Sequence, residues 1–347
     1  NQATPIFTGK SLIVTSLDNY IISLDPATGK ENWRVQITHP AGKRGLTYFK
    51  ENIFAPSGEG IYVINETTGK INIKFGHKGL IKAKDFEPTF VPPIVLDNKI
   101  LIANKSFVTS HKLPSGEINW KLDLNGARIW SGISYDIETN TLVFVTSNLV
   151  PLLGNTKIIN DYSNSIVVVD GLTGKTKCKF KDTIHDHWDL DMVGNPIIIN
   201  FFSKDKELKK LAYAFSKTGN IFVVDIDKCN LVNEKFVEKI KTDSNSSIKD
   251  QIYSNYQPKI NKPEKLINLN YNLENYLQSI SNDKENIDYV LHRTRYSKYG
   301  ESYIPLSLDY EVLMFGLHGG PEWPGGTFDK KNNQIIIPTN HYPWIIR

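Results

Sequence analysis

The segment "VVVDGLTGKTKC" (Val167–Cys178) carries the pattern that decides the fold, because three other segments repeat it: "ISLDPATGKENW" (22–33), "YVINETTGKINI" (62–73) and "TSHKLPSGEINW" (109–120). Each copy has an apolar strand, a turn centred on Thr-Gly or Ser-Gly, and a second strand. Glycine suits the positive φ angle that a tight hairpin turn requires. Four positions after each glycine comes a residue expected to dock one strand pair on its neighbour: Trp33, Ile73, Trp120 or Cys178.

The spacing of the turn glycines predicts the architecture. Gly29, Gly69, Gly116 and Gly174 stand 40 to 58 residues apart, which is typical of four-stranded propeller blades. A degraded fifth copy, "VVDIDKCNL" (223–231), has Cys229 in the glycine position. A sixth blade is expected to begin at "EVLMFGLHGG" (311–320). We therefore predict an all-β propeller with about five to six blades in this chain.

The region from about 240 to 300 interrupts the repeat. It is rich in Asn, Lys, Ser and Asp, with a weakly helical patch at "LENYLQSI" (273–280). A long excursion between blades is either a disordered insertion or a functional lid. Interspersed tyrosines and leucines favour an ordered loop.

The composition excludes several classes of protein. The net charge of +4 comes from 41 basic and 37 acidic residues scattered along 347 positions. This pattern favours a solvated surface and argues against nucleic-acid binding. No apolar run approaches the roughly 20 residues needed for a transmembrane segment. Cys178 and Cys229 are too few for a metal cluster, no CxxCH haem motif is present, and the cysteines do not identify the compartment.

Two segments place chemically active residues outside the expected core. "IHDHWDLD" (184–191) puts two histidines, three aspartates and a tryptophan in eight positions, which indicates a loop that directs an exposed carboxylate, anchored by Trp188. In "WSGISYDIETNTLVFVTSN" (130–148), pairing Asp136 with Thr141 would set Trp130 opposite Ser147 and beside Asn148. An indole ring and an amide oxygen at one hairpin end suit a planar cofactor with a cation at its edge. A structural blade tryptophan and a turn asparagine are the alternative.

With "SKTGNIFVVD" (216–225) and "YEVLMFGLHGGPEWPGGTFD" (310–329), these segments resemble the pyrroloquinoline quinone (PQQ) dehydrogenases of alcohols, methanol and glucose. Their order and spacing match the family, and the last segment looks most like the glucose branch. The resemblance covers essentially the whole chain and implies a quinoprotein propeller, which has eight blades in the family. Residues 1–347 are then expected to be a single incomplete domain, part of a longer gene product, with the 240–300 loop between blades.

The resemblance also implies roles for individual residues. PQQ would contact Arg44, Trp130, Lys217 and Trp323; Asp189 would be the catalytic carboxylate; and Asn148 and Asp189 would bind the metal. Calcium, or alternatively a lanthanide or Mg²⁺, prefers such oxygen ligands. Without the family, Lys217 reads as a solvated turn lysine, and Glu322 either faces the cofactor or forms a rim salt bridge. His185, Asp186 and His187 are expected to shape the loop or the substrate pocket.

The implied function is oxidation of a sugar or alcohol by hydride transfer to PQQ, with electrons passed to ubiquinone or a cytochrome c. Relatives of this kind work in the periplasm. One alternative is a non-catalytic propeller with PQQ-like repeats that acts as an assembly scaffold. A third reading is a sugar- or protein-binding propeller that uses the 240–300 loop. The presence of Trp130, Asn148, Asp189 and Lys217 in family order favours the enzyme.

Overall fold

Five four-stranded antiparallel sheets follow one another along the described part of the chain. The computed structural model describes all residues except 1–2, 39–43, 83–90, 152, 154–159, 203–205, 241–253, 262–265, 268, 316 and 319. Each sheet is a meander in which strands adjacent in sequence are adjacent in space. This is the blade arrangement that the repeat predicts.

The first three sheets contain β1 (Ile6–Phe7), β2 (Leu12–Thr15), β3 (Tyr20–Leu24) and β4 (Glu31–Gln36); β5 (Thr47–Phe49), β6 (Asn52–Pro56), β7 (Ile61–Asn65) and β8 (Leu80–Ile81); and β9 (Ile94–Val95), β10 (Lys99–Ala103), β11 (Phe107–Lys112) and β12 (Ile118–Asp123). The last two contain β13 (Ile133–Asp136), β14 (Thr141–Val145), β15 (Ser165–Asp170) and β16 (Thr176–Lys181); and β17 (Met192–Phe202), β18 (Leu208–Ser216), β19 (Ile221–Asp225) and β20 (Asn230–Leu231).

The remaining described residues form strand pairs and two helices. The pairs are β21 (Glu234–Lys239) with β22 (Tyr256–Asn261), β23 (Val312–Met314) with β28 (Trp344–Ile346), β24 (Gly320–Pro321) with β27 (Thr339–Asn340), and β25 (Thr327–Asp329) with β26 (Gln334–Ile336). The helices are α1 (Leu273–Ile280) and α2 (Lys284–Arg293). Helix α1 coincides with the predicted helical patch, and the nested pairs from β23 to β28 lie where a sixth blade was expected.

The turn chemistry of the repeat is the same in a regular and in the degraded copy. The Gly29 N–H donates to the Asp25 carbonyl at 2.8 Å, and the Cys229 N–H donates to the Asp225 carbonyl at 2.8 Å. Cys229 has φ = 56°, so it occupies the left-handed position that glycine fills elsewhere. This confirms that "VVDIDKCNL" is a copy of the repeat.

Tryptophans dock on the glycine turns of the next repeat. Trp33 packs against Gly69 and donates its indole N–H to the Glu66 carbonyl at 2.8 Å. Trp120 packs in the same way against Gly174. The expectation for Ile73 is wrong, because its side chain is 73% exposed. After Gly69 the chain does not run on directly as a strand, and the fourth strand of that sheet is β8, several residues later.

The chain divides into two compact units, residues 1–144 with 167–178 and residues 145–166 with 179–347. The first unit has an aliphatic core between its sheets, with Ile13, Ile21, Ile53 and Ile64 fully buried. The second unit has a core centred on the fully buried Trp188, packed with Leu190, Tyr303, Leu306 and Val312. The predicted loop tryptophan is therefore a core residue.

A substitution at the docked turn tests the repeat packing. A Cβ atom on Gly69 would lie 2.6 Å from the Trp33 ring, whereas one on Gly29, at a similar positive φ, would meet no atom within 4 Å. Gly29→Ala should cost about 1 kcal/mol of unfolding free energy from the backbone alone. Gly69→Ala should cost about 1–3 kcal/mol more from overpacking. Urea unfolding of both variants measures the difference, and equal losses would refute the docking.

Candidate active site

The loop between β16 and β17 is folded around the side chain of Asp186. This fully enclosed carboxyl group accepts hydrogen bonds from the backbone N–H groups of Trp188 at 2.9 Å and Leu190 at 2.7 Å. It also accepts from Asn164 Nδ2 at 2.8 Å. Asp189 has φ = 60°, a rare value for a residue other than glycine. Asp186 therefore holds the backbone in the shape that orients Asp189.

Trp188 fixes this loop to the core. Its indole N–H donates to the Ile304 carbonyl at 2.6 Å, and its ring meets Tyr303 edge-on at 5.3 Å between centroids. Its side chain is completely buried. The anchoring role predicted for Trp188 is confirmed.

Asp189 and Lys217 form a buried ion pair. Lys217 Nζ donates to Asp189 Oδ2 and to the Asp189 carbonyl, both at 3.0 Å, and lies 3.3 Å from Asp191 Oδ2. Asp189 is only 6% exposed and Lys217 only 3%. The expectation of an exposed carboxylate is wrong, and so is the reading of Lys217 as a solvated turn lysine. The ammonium group compensates the carboxylates, so both partners can be buried.

The strand register explains why these groups meet. In the β17–β18 ladder, Met192 pairs with Ser216. The next residue beyond the ladder on each strand is then Asp191 or Lys217, and the Lys217 N–H donates to the Asp191 carbonyl at 2.9 Å. The two sequence motifs are thus brought together by the pairing of adjacent strands.

Asn148 joins the same network through Asp191. Its backbone N–H donates to Asp191 Oδ1 at 2.8 Å, and the residue is buried after the end of β14. The sequence recorded Asp191 as a second aspartate but gave it no structural role. Its signal was its position two residues after Asp189. The network thus links Asn148, Asp189 and Lys217 in one unit.

The electrostatics of the network show an excess of acidic groups. Burial and the neighbouring Asp191 raise the pKa of Asp189 to about 7, although Lys217 opposes the shift. Burial and Asp191 also raise the pKa of Asp186 to about 7. For Lys217, burial disfavours the charge, but Asp191 and Asp189 outweigh it and raise its pKa. Three carboxyl groups therefore face one ammonium group.

Glu322 adds a further acidic group near Lys217. Burial raises the pKa of Glu322, and the charge of Lys217 opposes this shift. Its Oε1 atom is enclosed and accepts no hydrogen bond from any residue that the structure describes. The next residue, Trp323, is half-buried just after β24. Among the described side chains, Glu322 is therefore not the rim salt-bridge residue that was the alternative.

Arg44 and Trp130 form a second set of site residues. The Arg44 guanidinium lies 5.2 Å from the centroid of the Trp130 ring, and both side chains are half-buried. The predicted register is confirmed from Asp136–Thr141 to Ile133–Phe144. Trp130 and Ser147 lie beyond the ends of that ladder. The pair offers a flat aromatic face with a cation, which suits an anionic planar ligand.

The residues present fit the implied metal. Asp189 supplies a carboxylate and Asn148 an amide, and hard cations prefer such oxygen donors. The enclosed carboxyl groups outnumber the lysine, so a cation would find compensating charge here. Across the described residues, no group of three or more His, Cys, Asp or Glu side chains is arranged to hold a metal by itself. The amide is therefore a necessary part of the donor set.

A family model described as "Glucose/ethanol/alcohol dehydrogenase, beta-propeller domain", with the short name PQQ, matches residues 1–347. The chain belongs to the PQQ propeller family. The predicted quinoprotein-type β-propeller is thereby confirmed. In the described residues of this PQQ propeller, no helix has the length and apolarity needed to cross a membrane.

Relatives of this PQQ propeller are quinoproteins. It is 26% identical to quinoprotein glucose dehydrogenase A of Acinetobacter calcoaceticus, over 65% of this chain and 37% of that protein. It is 21% identical to quinate/shikimate dehydrogenase (quinone) of Acinetobacter baylyi, over 97% of this chain and 50% of that protein. The quinohemoprotein alcohol dehydrogenase structure from Comamonas testosteroni has the same fold, with a TM-score of 0.68, 16% identity, and coverage of 99% of this chain and 52% of that one. The chain thus spans between 37% and 52% of these relatives.

The acidic network predicts an unusual pH dependence of stability. Folded Asp186 and Asp189 hold their protons to about pH 7, whereas unfolded aspartate releases its proton near pH 4. Because the folded state then binds more protons, its stability falls as pH rises from about 4 to 7, by up to about 1.4 kcal/mol per pH unit for each group. Without added divalent cations, the thermal midpoint should fall between pH 5 and pH 8, and Asp189→Asn should flatten that fall. A midpoint that rises over this range would contradict the assignment.

Proposed function

We propose that the protein is a PQQ-dependent dehydrogenase that oxidises the hydroxyl group of a sugar or an alcohol. The buried Asp189–Lys217–Asp191 network beside Asn148 is the observation that supports this most. A scaffold propeller gains nothing from enclosing several carboxyl groups around one lysine, since such burial is costly. A general base, in contrast, needs a carboxylate with a controlled pKa and a fixed direction.

Each residue has a role in this proposal. When bound, PQQ supplies the hydride acceptor, and a cation such as Ca²⁺ supplies a Lewis acid that polarises it. Asp189 accepts the hydroxyl proton of the substrate, and a pKa of about 7 suits a base that works near neutral pH. Lys217 keeps Asp189 oriented and stabilises negative charge on the cofactor oxygens.

The remaining candidates bind the cofactor and the metal. Trp130 would stack under the PQQ ring, and Arg44 would hold one of its oxygens or carboxylates. Trp323 would face the cofactor from the segment after β24. Asn148 and Asp189 would bind Ca²⁺, or a lanthanide or Mg²⁺ in its place. These assignments follow the family motif residue by residue.

The compartment and electron acceptor are also proposals. Cys178 and Cys229 are both disulfide-bonded, and such bonds persist in oxidising compartments. This supports a periplasmic location. Electrons would pass to ubiquinone or a cytochrome c, and the name of the Acinetobacter baylyi relative specifies a quinone acceptor for that protein.

The proposed base is tested by Asp189→Asn in the protein expressed from its complete gene, loaded with PQQ and Ca²⁺. Dye-linked turnover is first screened over aldoses, polyols and primary alcohols. The variant should lose about 100- to 10,000-fold in turnover, because the amide cannot accept the proton, while PQQ absorbance on the protein largely survives.

Asp170→Asn is the matched control. Asp170 accepts hydrogen bonds in an exposed turn and should tolerate the change with normal turnover. Near-normal turnover in Asp189→Asn would refute its assignment as the base. No PQQ-dependent turnover of any substrate in the wild-type protein would refute the function.

The stacking role is tested by Trp130→Ala. Loss of an aromatic face beneath a planar ligand costs about 1–3 kcal/mol, so PQQ should bind the apoprotein roughly ten- to a hundredfold more weakly. Absorbance titration with PQQ measures this affinity. Trp344→Ala removes a partly exposed tryptophan that contacts His318 and has no proposed cofactor role. Equal affinities of the two variants would argue against Trp130 as the stacking residue.

A further inference from the structure

Asp182 is a fully buried carboxyl group directly after β16, and its hydrogen-bond partners are neutral. Its Oδ1 atom accepts from Asn220 Nδ2 at 2.7 Å, and its Oδ2 atom accepts from the Thr218 hydroxyl at 3.1 Å and the Thr183 hydroxyl at 3.1 Å. No Lys or Arg among the described residues lies within ion-pair distance of it. Lys235 feels its charge from farther away, and burial still raises the pKa of Asp182. A buried acid without an ion pair is expensive to retain, which calls for a reason specific to its place.

The partners of Asp182 belong to the turn that carries Lys217. Ser216 and Thr218 share a hydrogen bond of 2.6 Å between their hydroxyl groups, and Thr218 and Asn220 both donate to Asp182. These residues alternate with Lys217 along the turn, so their side chains hold one side of it to Asp182. Lys217 projects to the other side, where it meets Asp189 and Asp191.

The backbone of the turn leaves Lys217 little other support. The Gly219 N–H donates to the Ser216 carbonyl at 2.9 Å and closes the turn. The Lys217 N–H is held by the Asp191 carbonyl. Neither bond fixes the long side chain, whose four-carbon stem has several rotamers. The direction of the ammonium group therefore depends on the orientation of the whole turn.

We propose that Asp182 is a positioning residue that orients the 216–220 turn, so that Lys217 faces Asp189 and Asp191. The catalytic meaning of this role rests on the proposed function, but the positioning itself is independent of PQQ. Sequence reasoning gave Asp182 no role, because its partners in the turn are more than 30 residues away along the chain.

Lysine labelling with mass spectrometry tests the positioning without cofactor. In the wild-type protein, Lys217 should be strongly protected because it is buried and ion-paired. In Asp182→Ala, its labelling rate should rise at least about tenfold, which corresponds to about 1.4 kcal/mol of lost protection. Asp182→Asn should restore most of the protection, because its amide can still accept from Asn220 and pair with the Thr218 hydroxyl.

Two controls separate a local effect from unfolding. Lys210 is 5% exposed on β18, the strand that leads into the turn, so it reports unfolding of the same sheet. Asp225→Ala removes another buried acid that caps a different turn, through Asp227 and Lys228. Lys210 should stay protected in Asp182→Ala, and Lys217 should stay protected in Asp225→Ala.

Unchanged labelling of Lys217 in folded Asp182→Ala would overturn the proposal. If Asp182→Ala exposes Lys210 as well, Thr218→Val provides the decisive variant, since it removes one donor and keeps the volume. Selective labelling of Lys217 in that variant supports the proposal, and continued protection overturns it.

The activity of the loaded enzyme distinguishes this proposal from the proposed function. Asp182→Ala, Lys217→Ala and the double variant should share one reduced turnover, because both single changes remove the same ammonium group. Additive losses would overturn the positioning role. Normal turnover in Lys217→Ala together with selective labelling in Asp182→Ala would refute the role of Lys217 in catalysis and leave the positioning intact.

Discussion

The ion pair between Lys217 and the carboxylates of Asp189 and Asp191 is the interaction on which the rest of the site depends. All three side chains are less than 10% exposed, so each charge is stable only because the others are present. Without Lys217, three acidic groups would be enclosed with no described cation in ion-pair contact. The same excess of acid raises the pKa of Asp189 and makes a bound cation favourable.

The propeller scaffold supplies the geometry that makes this pairing possible. Adjacent strands of one blade end at Met192 and Ser216, and the residues just beyond them are the acidic loop and the lysine turn. Trp188 ties the loop to the core, Asp186 shapes its backbone, and Asp182 holds the turn. The ends of the blade strands are thus regions where ionisable groups are held rigidly, although the segments that carry them are loops.

The repeat, the turn glycines and the tryptophan docking could be predicted from the sequence, because they depend on contacts within a repeat or between successive repeats. The helix at 273–280 was visible for the same reason. The burial of Asp189 and Lys217 was not predicted, since it depends on partners that only the strand register brings together. Exposed Ile73 was missed because the chain departs from the repeat after Gly69. Asp186 and Asp182 act through hydrogen bonds to distant segments, which leave no local pattern.

The most direct test of the account is crystallographic. Crystals of the complete protein grown with PQQ and a lanthanide would locate the metal by its anomalous scattering. We predict one peak within about 2.6 Å of Asn148 Oδ1 and of a carboxylate oxygen of Asp189, with the PQQ ring against Trp130. A catalytically active crystal whose metal lies away from both residues would contradict the account.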